Sequence, residues 1–65
     1  MHITLNGEPY DASANLLHDL LQQLELLDKR IAVEFNEEIC PRSEWPNQAI
    51  QEGDIIEIVH AIGGG

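Results

Sequence analysis

Five leucines, Leu16, Leu17, Leu20, Leu21 and Leu24, recur at the spacing that lines one face of a helix, and this stripe constrains the fold more than any other feature. His18, Asp19, Gln22, Gln23 and Glu25 take the opposite face, so the helix buries one side only and needs a sheet to bury it against. Ser13 and Asn15 are good N-cap residues, and the spacing predicts a helix from residue 15 or 16 to about residue 25. With 65 residues, the chain has room for one core and not for two.

The flanking segments read as strands. Met1 to Leu5 alternates apolar and polar residues, and Asn6-Gly7 suits the positive φ angles of a type I′ hairpin turn. Glu8 to Asp11 contains Pro9, which places that strand at a sheet edge or ends it early. Ile31 to Phe35 alternates again, Asn36-Glu37 turns the chain into Glu38-Ile39-Cys40, and Pro41 stops it. Ser43 to Pro46 reads as a turn or single helical turn that lays Trp45 on the apolar interior. After the Glu52-Gly53-Asp54 turn, Ile55 to Ile62 is strongly β-prone and is expected at the centre of the sheet. The element order gives an α+β fold, a mixed sheet with one amphipathic helix packed across it, whose first and last strands pair in parallel. Ile3, Leu5, Leu17, Leu20, Leu21, Leu24, Val33, Ile56 and Ile58 fall on the inward phases. Residues 1–62 form the domain, and residues 63–65 form a flexible glycine tail.

Composition removes several classes of function. Twelve acidic residues against three basic ones give a net charge of -9, with Lys29, Arg30 and Arg42 the only cations besides the histidines. Such a surface repels phosphate backbones and anionic lipid, so neither nucleic acid nor membrane is expected as a partner, and basic protein surfaces are favoured. Cys40 is the only cysteine, so no intrachain disulfide forms; ending an apolar run before Pro41, it reads as a buried structural thiol. No segment has the length of a membrane span or the pattern of a signal peptide, and a cytoplasmic setting is expected. His2, His18 and His60 show no paired metal-ligand spacing, and no nucleophile stands beside a base, so neither a metal nor a catalytic residue is expected.

What remains is Gly63-Gly64-Gly65 directly after the last strand. Three glycines without Cβ atoms make a thin strip able to thread a narrow channel, with a carboxylate at its tip. A free carboxylate is a poor acyl donor, so chemistry there needs a second enzyme. The plain alternative is a frayed terminus or a cloning remnant.

The stretch from Ile31 through Pro41-Arg42-Ser43-Glu44-Trp45, the Glu52-Gly53-Asp54 turn and the ending Val59-His60-Ala61-Ile62-Gly63-Gly64-Gly65 closely resemble the ThiS family, sulfur carriers of bacterial thiamine biosynthesis. The resemblance covers essentially the whole chain and implies the ubiquitin-like β-grasp fold. It further implies that Gly65 is adenylated by a ThiF-type enzyme using Mg and ATP, then converted to a thiocarboxylate with sulfur that a cysteine desulfurase draws from cysteine. Thiazole synthase then receives the sulfur, and Gly63 and Gly64 are the threading strip. The carrier itself would bind no cofactor and catalyse nothing. A glycine is frequent in the family where this chain has Glu37.

Two other readings stay open: a carrier for another pathway, such as molybdopterin synthesis, and a β-grasp interaction module with an inert tail. If Ile56 and Ile58 face inward, Ile55, Glu57, Val59 and Ala61 face outward. Ile55, Val59 and Ala61 are therefore the candidate docking positions near the tail.

Overall fold

The computed structural model describes residues 1–60. It contains β1 (His2–Leu5), β2 (Glu8–Asp11), α1 (Leu17–Gln23), β3 (Ile31–Phe35), β4 (Glu38–Ile39), a 3₁₀ helix (Arg42–Asn47) and β5 (Ile55–His60). The sheet has five strands in the order β2-β1-β5-β3-β4. β5 lies at its centre, parallel to β1 and antiparallel to β3, so the first and last strands pair as the sequence predicts. β2, which carries Pro9, is an edge strand.

Two type I′-like turns fold the hairpins. Asn6 and Gly7 have φ of 51° and 81°, and Asn36 and Glu37 have φ of 52° and 71°. Glu37 thus adopts the left-handed backbone in spite of its Cβ, and the hairpin forms without the glycine frequent in the family.

Leu17, Leu20 and Leu21 of the stripe are completely buried, while Leu24 is half-buried against the core. Ile3, Val33, Ile56 and Ile58 join them from the sheet as expected, with Leu5 half-buried. Ala12, Ala14, Cys40, Trp45 and Ile50 complete the core. Cys40 and Trp45 are buried as the sequence suggests, whereas Ala12, Ala14 and Ile50 stand in irregular segments where no periodicity marks an inward phase.

The helix start differs from the sequence expectation. Neither Ser13 nor Asn15 caps it; Leu16 is the N-cap residue and supplies no side-chain hydrogen bond. The cause is tertiary: Leu16 bridges Ala49, the Leu17 N–H donates to the Gln48 carbonyl at 2.8 Å, and the Ile50 N–H donates to the Asn15 carbonyl at 2.9 Å. This pairing holds Leu16 extended and satisfies a helix donor that a side chain would otherwise take. At the other end, Glu25 sits at φ 60°, the Leu26 N–H reaches the Leu21 carbonyl and the Glu25 N–H reaches the Gln22 carbonyl. This is a Schellman stop with glutamate in the place glycine usually fills.

The Arg42 to Trp45 segment is structural. Trp45 is 2% exposed and its Nε1–H donates to the Cys40 carbonyl at 3.0 Å. The Arg42 guanidinium lies 4.4 Å from the Trp45 ring centroid and donates to the Leu27 and Lys29 carbonyls at 2.6 and 2.8 Å. Its planar fork therefore ties the chain leaving α1 to the 3₁₀ helix.

Candidate functional site

β5 is the strand from which the glycine-ended segment departs, and it is held on both sides. On one side, the Thr4 N–H donates to the Asp54 carbonyl and the Asn6 N–H to the Ile56 carbonyl, each at 2.9 Å. On the other, the ladder with β3 runs from Phe35↔Ile56 to Ile31↔His60, the last described residue of the strand. Two turn asparagines add side-chain bonds: Asn6 Oδ1 accepts from the Ile58 N–H at 2.7 Å, and Asn36 Oδ1 accepts from the Ile55 N–H at 2.8 Å. Such a strand is a fixed base for whatever follows His60. Gly63, Gly64 and Gly65, with Ala61 of the docking positions, lie outside the described residues, as does the proposed boundary at residue 62.

Ile55 and Val59 project from the face of the sheet opposite α1, 44% and 57% exposed, while Ile56 and Ile58 are buried beneath them. The register adds residues that the sequence reading did not assign to this face. Ala32 pairs with Val59, Glu34 pairs with Glu57, and Ile39 of β4 pairs with Glu34, so all three share the outward side. Ile39 is 66% exposed. Alternation within β3 assigns Ala32 and Glu34 a common side, but only the cross-strand register decides which residues they meet.

Cys40 is buried, and burial, followed by the Glu44 charge, pushes its thiol above the usual value. A thiol kept protonated in that way is a weak nucleophile. His2 and His18 stand on β1 and α1, and His60 ends β5; among the described residues, no group of three or more His, Cys, Asp or Glu could hold a metal ion. No helix among the described residues is long and apolar enough to cross a membrane.

Comparison with known proteins gives this architecture its relatives. The ThiS family model matches residues 3–65, nearly the whole chain. The chain belongs to the ThiS family. The sulfur carrier protein ThiS of Escherichia coli is 33% identical over 66 aligned positions, covering all of both chains. The crystal structure of the thiamine biosynthesis protein ThiS from Geobacter metallireducens superposes with a TM-score of 0.86 at 28% identity, again over the full length of both. The fold is thus the ubiquitin-like β-grasp of the ThiS family. A thiazole synthase from Magnetococcus marinus is 44% identical over 66 aligned positions, and the chain spans 20% of that protein's length. In such relatives, a ThiS-like region forms part of a much longer polypeptide.

Proposed function

We propose that this ThiS-family protein carries sulfur for thiazole formation in thiamine biosynthesis, as a cytoplasmic co-substrate that its partner enzymes act upon. The observation that carries the reading is full-length similarity to proteins named sulfur carriers, in a chain that presents Gly63-Gly64-Gly65 after a firmly held central strand. A ThiF-type enzyme supplies Mg-ATP: the Gly65 carboxylate attacks the α-phosphate, pyrophosphate leaves, and the acyl adenylate acquires a good leaving group. The terminal sulfur of a persulfide, formed from cysteine by a cysteine desulfurase, displaces AMP to give an acyl disulfide. A thiol then reduces that S–S bond, releasing the thiocarboxylate and becoming oxidised to a disulfide. Gly63 and Gly64 thread the partner's channel, and the face bearing Ile55, Val59 and Ala61 docks against the partner. Thiazole synthase receives the sulfur, a choice supported by relatives in which the ThiS-like region belongs to a thiazole synthase.

The test is intact-mass measurement after incubation with a ThiF-type enzyme, Mg-ATP and a sulfur donor. Replacement of one terminal oxygen by sulfur is the expected result. An unchanged mass, with the adenylating enzyme active on another carrier, favours an interaction module instead. A thiocarboxylate that thiazole synthase does not consume favours a different recipient, such as molybdopterin synthesis.

A further inference from the structure

We propose that the outward face of the sheet contains a seat for one basic side chain of a partner protein, formed by the opposed carboxylates of Glu34 and Glu57 and flanked by Ile39, Ile55 and Val59. The inference rests on the docking reading above and gives that face a chemistry.

Glu34 and Glu57 are direct cross-strand partners in the β3–β5 ladder. Like charges directly opposite each other destabilise a sheet, so this pair works against the fold at its centre. Among the described residues, neither has a cationic partner: the ion pairs there involve Met1, His2 and His18. The Arg42 guanidinium is already committed to the Leu27 and Lys29 carbonyls and the Trp45 ring.

The setting of the pair is apolar. Ile39, Ile55 and Val59 are the exposed large hydrophobic side chains of the described residues, and the register puts all three on the same face as the two carboxylates. Ile39 lies beside Glu34 across the sheet, while Ile55 and Val59 lie two residues before and after Glu57 on β5. Two acceptors flanked by exposed aliphatic side chains match an arginine or lysine, whose methylene stem lies on the apolar surface while its charged head reaches both carboxylates. Binding such a group removes the repulsion within the pair, so the free protein's electrostatic cost becomes a contribution to association.

The occupant is a basic residue, flanked by apolar ones, on thiazole synthase. Relatives of 44% and 41% identity carry the equivalent of this whole chain as 20% of a thiazole synthase, which keeps the two parts at high effective concentration and suits a modest, charge-directed contact.

Titration calorimetry of the wild type, Glu34→Gln, Glu57→Gln and Val59→Lys against thiazole synthase, at low and high salt and with melting temperatures, tests the seat. Each glutamine variant is expected to bind at least about tenfold more weakly at low salt, with a flatter salt dependence and an equal or higher melting temperature. Wild-type affinity in both glutamine variants with weakened binding by Val59→Lys overturns the seat and leaves the docking reading standing. Wild-type affinity in all three overturns the docking reading too. If the glutamine variants lose affinity for a ThiF-type enzyme and none for thiazole synthase, the assigned occupant is wrong.

Discussion

Asn6 Oδ1 accepts the backbone N–H of Ile58 at 2.7 Å, tying the first hairpin turn to the central strand across 52 positions of sequence. The Asn6 N–H also donates to the Ile56 carbonyl, so one turn residue serves two groups of β5. Asn6→Gly keeps the positive φ but strands the partly buried Ile58 donor, and is expected to cost roughly 1–3 kcal/mol. Urea denaturation measures the loss; an unchanged midpoint would show that water replaces the side chain at no cost.

Glu37 occupies a left-handed backbone position at φ 71° with no glycine to relieve it. An L-residue there costs roughly 1–2 kcal/mol, partly offset by the extra chain entropy that glycine loses on folding. Glu37→Gly is therefore expected to stabilise the protein by about 0.5–1 kcal/mol, read as a raised melting temperature. A fall would mean that the Glu37 side chain makes a compensating contribution. Glu25, at φ 60° in the helix stop, is expected to respond to glycine in the same direction.

The Glu52 carboxylate accepts the His2 backbone N–H at 3.0 Å and stands 3.0 Å from His2 Nδ1. The backbone hydrogen bond first, then the imidazole, lower its pKa from 4.5. A depressed carboxylate contributes stability that is fully present above its unfolded value and is lost as pH falls through the folded one. Stability measured from pH 6 downward is thus expected to decline less steeply below about pH 4.5 in Glu52→Gln than in the wild type. Identical acid limbs would show that this contact does not survive in solution.

Under the proposed carrier chemistry the reacting atom is the Gly65 carboxyl carbon, so its reach from β5 matters more than any side chain. One residue added or removed shifts an extended terminus by about 3.3–3.6 Å, more than productive attack geometry tolerates. Deleting Gly65, or appending one alanine, is expected to abolish thiocarboxylate formation while leaving the melting temperature unchanged; Cys40→Ser and His60→Ala retain the product. Mass spectrometry and thermal unfolding read both. Normal sulfuration of the extended protein would contradict the carrier mechanism in this form.

The identity and order of the elements were legible in the chain's residues, because helix and strand periodicities are local. The leucine stripe selected the buried face of α1, Pro9 marked an edge, and the run from Ile55 announced the central strand. The resemblance in its ending also led to Gly65 as the candidate reactive residue. Features that depend on partners distant in sequence emerged only in three dimensions. Pairing of residues 15–17 with 48–50 moved the helix start past Ser13 and Asn15, overriding good capping residues by satisfying the Leu17 N–H through the backbone. The β3–β5 register set Glu34 against Glu57, and the β3–β4 register placed Ile39 beside them. Periodicity assigns a side chain to a face, but a one-residue slip changes every cross-strand neighbour, and only closure of the shared core fixes the register.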